Sequence, residues 1–139
     1  MKKIVLTLSV LCFSFFYSQK NQNYLEVSYG SICCGPPSDV PVMNYITQFQ
    51  KKNKLKAFEI YEQSGLGREG EFSFYIGIDK LSKTQKSNFI KGLKAVVKAQ
   101  NDKRNESRDG IVYFEESAPV TQSDLSKKTN ITLYKKQNN

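Results

Sequence analysis

From Tyr24 to Tyr29 apolar and polar positions alternate, with Leu25, Val27 and Tyr29 on one side and Tyr24, Glu26 and Ser28 on the other. A period of two predicts a half-buried strand, which Gly30 ends. The next segment, Ser31-Ile32-Cys33-Cys34-Gly35-Pro36-Pro37-Ser38-Asp39, has no period and reads as a loop. Val42, Ile46 and Phe49 then recur at helical spacing, with Tyr45 beside them. Ser38 or Asp39 suits the N-cap and Pro41 the first turn, while Lys51, Lys52 and Lys54 load the end where the helix dipole favours cations.

Two strands follow. Phe58 and Ile60 face one way and Ala57, Glu59 and Tyr61 the other. Phe72, Phe74, Ile76 and Ile78 alternate with Glu71, Ser73, Tyr75 and Gly77, the clearest strand in the chain. Between them Gly65-Leu66-Gly67-Arg68-Glu69-Gly70 matches a Gly-x-Gly-x-x-Gly string, but it joins two strands and opens no helix, so it reads as a hairpin turn rather than a dinucleotide site. Ser82-Lys83-Thr84-Gln85 is a capping box, and the helix after it carries Phe89, Ile90, Leu93, Val96 and Val97 on one face. Residues 101–110 are a polar loop, and Ile111 to Glu115 is a strand. Residues 117–129 read as loop, with Ile131 to Tyr134 as an extra edge strand.

The order β-α-β-β-α-β, with right-handed crossovers in both split βαβ units, predicts an α+β fold. The expected form is a ferredoxin-like two-layer sandwich, an antiparallel sheet backed by two helices. Its far sheet face would show Tyr61, Tyr75, Ile111 and Tyr113, either as half-exposed strand residues or as an open aromatic face for a partner, unless the C-terminal segment covers part of it. The first strand, the hairpin and the entry to the fourth strand place three loops at one end: 31–39, 65–70 and 101–109. That end gathers the adjacent cysteines, the Pro-Pro pair, the glycine turn and a dense mixed-charge loop.

The N-terminus sets the expected compartment. Met1-Lys2-Lys3 precedes an apolar run from Ile4 to Tyr17, about fourteen residues, which is too short to span a bilayer and fits a signal-peptide core. The expected division is a cleaved signal peptide over 1–18, the ferredoxin-like domain over 19–116, and a C-terminal loop, short strand and Lys/Asn-rich tail over 117–139. The protein is then periplasmic or secreted, with no transmembrane segment in the mature chain.

Charge and composition narrow the chemistry. The 139 residues hold 21 Lys plus Arg, 13 Asp plus Glu and no histidine, a formal charge of +8. No Ser-His-Asp triad, Cys-His dyad or His-containing metal site can be built, and the reading leans against an enzyme. Lys83, Lys86, Lys91, Lys94 and Lys98 line the second helix away from its apolar face, a pattern that reads as solvated surface or else as a face that attracts an acidic partner or anionic lipid head groups. The function expected is a non-catalytic binding or interaction module working through the three-loop end. The candidate contacts are Cys33, Cys34, Asp39, Arg68, Glu69 and Arg104, and the partner is an unidentified protein or acidic surface.

With Cys12 removed, Cys33 and Cys34 are the remaining thiols. An intramolecular bond between them has to be vicinal, which is strained because consecutive α-carbons lie closer than most disulfides place theirs. Two free thiols, metal ligation and an intermolecular bridge are the alternatives. In loop position and topology the pair resembles the heavy-metal-associated domains, which implies thiol ligation of Cu(I) by Cys33 and Cys34, or of Zn, with Met43 as a further soft ligand. Those domains use Cys-x-x-Cys, whereas here the two are adjacent. Phe72-Ser73-Phe74 occupies the strand that carries the aromatic signature of RNA-recognition motifs, but the alternation sends both rings to the core, and no nucleic-acid partner is expected.

Overall fold

A computed structural model of the chain describes residues 22–135. The signal peptide read over 1–18, with Cys12, lies outside the described residues. The strands are β1 (Asn23–Gly30), β2 (Ile60–Gln63), β3 (Phe72–Gly77), β4 (Ile111–Phe114), β5 (Val120–Thr121) and β6 (Ile131–Leu133). The helices are α1 (Val40–Lys52), α2 (Lys83–Asn101) and α3 (Gln122–Ser126). Together they form a mixed α+β structure with an open antiparallel sheet of six strands. The sheet order is β4-β1-β3-β2-β6, and β5 pairs with the start of β1.

Local chemistry accounts for these elements. Ser82 accepts a hydrogen bond from the Gln85 amide while the Gln85 side chain accepts one from the Ser82 amide, so both ends of the predicted capping box are made. Asp39 occupies the N-cap of α1 without a side-chain cap, and the Ser38 hydroxyl accepts from the Val40 amide instead. Gly65 and Gly70 take positive φ on either side of the β2–β3 turn, a conformation open to glycine at little cost. The Gly-x-Gly-x-x-Gly string is thus a hairpin connection between paired strands.

The main core lies between one sheet face and the two long helices. Leu25, Val27 and Tyr29 of β1 and Phe74 and Ile76 of β3 meet Val42, Ile46 and Phe49 of α1 and Phe89, Leu93 and Val97 of α2. Phe89 has no exposed surface and sits among three rings: Tyr45 at 5.5 Å and Phe49 and Phe58 each at 5.0 Å between centroids. Gly92 lets α1 and α2 approach here, because a β-carbon on it would collide with the Tyr45 ring. The Tyr45 hydroxyl then donates to the Phe89 carbonyl at 2.8 Å.

The far face is covered in part by the C-terminal segment. Residues 117–129, read as loop, fold into β5 and α3, where Thr121 and Asp124 form a second capping box. This segment brings Leu125 and Val120 onto Tyr24 and Tyr75, which are fully buried. Tyr61 packs at its edge, and Tyr113 remains 57% exposed. Burial on this side requires hydrogen bonds. The Tyr75 hydroxyl donates toward Glu26 at 2.9 Å and lies 2.8 Å from the Gln63 side-chain oxygen, while Tyr24 donates to Glu59 at 2.6 Å.

Burial holds the phenols of Tyr24, Tyr29 and Tyr75 above the ordinary tyrosine range; the charges of Glu59 beside Tyr24, Asp39 beside Tyr29 and Glu26 beside Tyr75 add to it. Unfolded tyrosines ionise near pH ~10, so above that pH the unfolded chain binds fewer protons and folding stability falls as pH rises. A tyrosinate absorbance titration should therefore lag behind free tyrosine and then rise together with unfolding by circular dichroism. Smooth ionisation of every tyrosine near the free value, with the fold intact, would contradict this burial.

Candidate functional site

Strand register builds the loop end. Tyr29 pairs with Phe72 and Gly30 with Ile111, so the exit of β1, the start of β3 and the start of β4 lie side by side. The segments 31–39, 65–70 and 101–109 follow from these points. Gly110 lets two of them close: a β-carbon there would stand 2.3 Å from the Gly30 carbonyl oxygen and 2.7 Å from the Pro37 ring. Gln100, near the end of α2, donates to the Ser38 carbonyl at 2.6 Å, and its own Oε1 is buried without a partner. Asn101 acts as a surrogate strand residue, donating to the Val112 carbonyl at 2.8 Å and accepting from the Val112 amide at 3.0 Å.

Glu69 joins the third segment to the first. Its Oε2 accepts from the Ser31 hydroxyl and, at 3.2 Å, from the Gly35 amide. These two bonds, the Ser31 bond foremost, hold its carboxyl below the ordinary range. A depressed folded value means the clamp is complete at neutral pH and is lost only as pH falls through that value, below the usual ~4.3. The Gly35 amide also donates to the Ser31 hydroxyl at 3.1 Å, and Glu69 fixes that hydroxyl, so Glu69→Ala should loosen both acceptors and speed amide hydrogen exchange at Gly35 at neutral pH while leaving β1 and β3 protected. Unchanged exchange at Gly35 would show that the clamp does not hold the loop.

Around these contacts opens a cleft of about 320 Å³, lined by Cys34, Gly35, Pro36, Pro37 and Gln100 on one side and Lys103, Arg104, Arg108 and Asp109 on the other. The 102–109 segment holds its own shape. Asp109 accepts from the Asn105 amide at 2.8 Å and from Arg108 Nε at 3.1 Å, and these contacts keep its carboxylate ionised. Arg104 donates one bond, to the Asp109 carbonyl at 3.4 Å.

Of the residues singled out from sequence, Cys34 and Arg104 line this cleft and Cys33 is exposed next to it. Glu69 tethers the loop that forms the cleft wall. Arg68 is exposed on the hairpin and Asp39 is at the helix cap, and neither lines the cleft. Lys103, Arg108 and the partners Gln100 and Gly110 were not singled out; their only sequence signal was the charge density of the 101–110 loop. The Cys33 and Cys34 sulfurs face each other at bonding separation, with α-carbons 3.8 Å apart. Among the described residues no group of three or more His, Cys, Asp or Glu gathers in a metal-holding cluster.

The lysine face of α2 is partly neutralised within the molecule. Lys86 pairs with Asp79 at 3.3 Å, Lys98 with Asp102 at 2.6 Å, and Lys94 with Glu116. At the loop end Lys103 and Arg104 form no ion pair among the described residues and line a concavity, as Lys54, Lys56 and Lys80 do in a cleft beside the entry to β2. Among the described residues no helix is long and apolar enough to cross a membrane. Comparison with protein-family models, with curated proteins and with solved structures finds no match to the chain.

Proposed function

We propose that the protein is an exported, non-catalytic binding module whose site is the end formed by segments 31–39, 65–70 and 101–109. The observation that supports this most is the shared cleft, walled by Cys34, Pro36 and Pro37 from one segment and by Lys103, Arg104 and Arg108 from another. Glu69 of the 65–70 segment clamps the 31–39 wall, and Arg68 beside it is exposed on the hairpin. The framework that presents it is a ferredoxin-like sandwich, a reading supported by the strand order β4-β1-β3-β2 with two helices on one face. In this reading β6 and β5 are additions that close the far face. The export signal read over residues 1–18 places the module in the periplasm or outside the cell.

The test is an amide-resolved magnetic resonance titration of the protein with a panel of neutral, anionic and cationic small molecules and short peptides. Shifts concentrated in residues 33–37 and 100–110 are expected from at least one panel member. Shifts confined to other surfaces, or none across the panel, overturn the reading.

A redox role for Cys33–Cys34 is the second reading, favoured by one observation: Cys34 lines the same cleft, and both residues are exposed. A dithiol reductant would supply two electrons and two protons, opening the bond to two thiols as it becomes a disulfide itself. Intact mass after alkylation, across a graded dithiothreitol series, reads the step. Two free thiols in the untreated exported protein would eliminate it. Thiol ligation of Cu(I) or Zn(II) needs the same two sulfurs in reduced form, and a titration of the reduced protein against a competing chelator tests it.

A further inference from the structure

We infer that the ligand of the loop-end cleft is a small dianion bearing carboxylate or phosphate oxygens. This rests on the binding-module reading and names the chemistry that the site recognises. Three cations, Lys103, Arg104 and Arg108, line the cleft against one carboxylate, Asp109. That carboxylate is already engaged by the Asn105 amide and by Arg108 Nε. Among the described residues Lys103 and Arg104 form no ion pair, and Arg104 donates a single hydrogen bond, to the Asp109 carbonyl. A guanidinium fork matches the paired oxygens of a carboxylate or phosphate, and a neighbouring ammonium adds a second positive charge at short range.

Shape agrees with charge. About 320 Å³ is at the lower end of small-molecule sites, and the rings of Pro36 and Pro37 give the wall a rigid apolar side. The structure holds the opposite preference elsewhere. A second cleft on the far sheet face is lined by Glu26, Ser28, Tyr113, Phe114, Glu115 and Ala118, with carboxylates and no cation. The two linings are opposite in charge, and the second serves as an internal control. A third cleft, with Lys54, Lys56 and Lys80 against Glu59, shares the positive excess, and amide shifts at 54–59 or at 100–110 tell the two basic clefts apart.

The experiment is isothermal titration calorimetry of the protein at low ionic strength with succinate and, separately, inorganic phosphate, with acetate as the monoanion, and amide shifts recorded alongside. One-to-one binding of succinate or phosphate is expected, tighter than acetate, with shifts at residues 34–37 and 100–110. Which dianion binds identifies the oxygen source. The Arg104→Gln/Arg108→Gln variant should weaken binding at least about tenfold, the scale set by losing charge-assisted bidentate bonds. Raised salt should weaken the wild type as well. Lys103→Gln, an exposed change that leaves both arginines, should weaken binding by a smaller factor and guards against misfolding of the double variant. Neither dianion binding, or wild-type affinity in both variants, overturns the inference. Shifts at the cleft from a neutral panel member, with no dianion bound, overturn the inference but leave the loop-end site standing. Dianion-induced shifts confined to other surfaces overturn both.

Discussion

Replacing Phe89 with alanine is expected to destabilise the protein by about 3–5 kcal/mol, the cost of truncating a fully buried aromatic ring. The ring is enclosed by Tyr45, Phe49 and Phe58, which come from α1 and from the segment entering β2. Tyr45, one of the three, is held in place through its hydroxyl on the Phe89 carbonyl, which limits its collapse into the space. With a domain stability of roughly 5–15 kcal/mol, that loss leaves the fold close to its limit. Urea unfolding should show a much lower midpoint with an unchanged slope. Phe89→Leu, which keeps most of the volume, should lose much less. A loss below about 1 kcal/mol for the alanine variant would show that this core repacks freely.

Gly110→Ala is the second large effect, and its origin is steric. The added β-carbon would meet the Gly30 oxygen at 2.3 Å, Pro37 Cδ at 2.7 Å and the Gly35 oxygen at 3.1 Å. Two of these atoms are backbone and the third is a ring, so none can swing aside. Overpacking of this kind costs about 1–3 kcal/mol, and here it also pushes the 30–37 segment away from the entry to β4. The expected result is a lower melting temperature together with displaced amide signals at Gly35. Gly67→Ala is the matched control: its β-carbon would meet only the flexible Glu71 carboxylate, so stability should stay within ~0.5 kcal/mol. Equal melting temperatures for the two variants would refute the close approach at Gly110.

These positions separate what was legible in the sequence from what was not. Alternation over 24–29 and 72–78 and helical spacing through Val42–Phe49 and Phe89–Val97 were enough to place β1, β3, α1 and α2. Each of these elements buries one face against the same core, so periodicity and burial report the same fact. The Ser82–Gln85 box was equally legible, because both partners of its hydrogen bonds lie within one turn. The strand at Ile131–Leu133 was readable as an element from its apolar alternation, and its pairing with β2 came from the fold.

The C-terminal cover of the far face was not legible. Residues 117–129 have little apolar content and no sustained period, and α3 is a five-residue helix held by its own cap and by Leu125 packing on Tyr24 and Tyr75. Tyr75 looked like a half-exposed strand residue because its burial comes from a segment about fifty positions further along the chain. The cleft shows the same division. Sequence order and handedness brought the three loops to one end, and composition marked Cys33, Cys34, Arg68, Glu69 and Arg104 as their unusual residues. Only the tertiary contacts sorted those residues: Glu69 into a clamp on Ser31 and Gly35, Arg104 into the cleft wall, and Arg68 outside it. The reason is range. Periodicity and caps are encoded within a few residues, whereas the loop side chains find partners in backbone groups such as the Gly35 amide for Glu69 and the Asp109 carbonyl for Arg104, which carry no sequence identity.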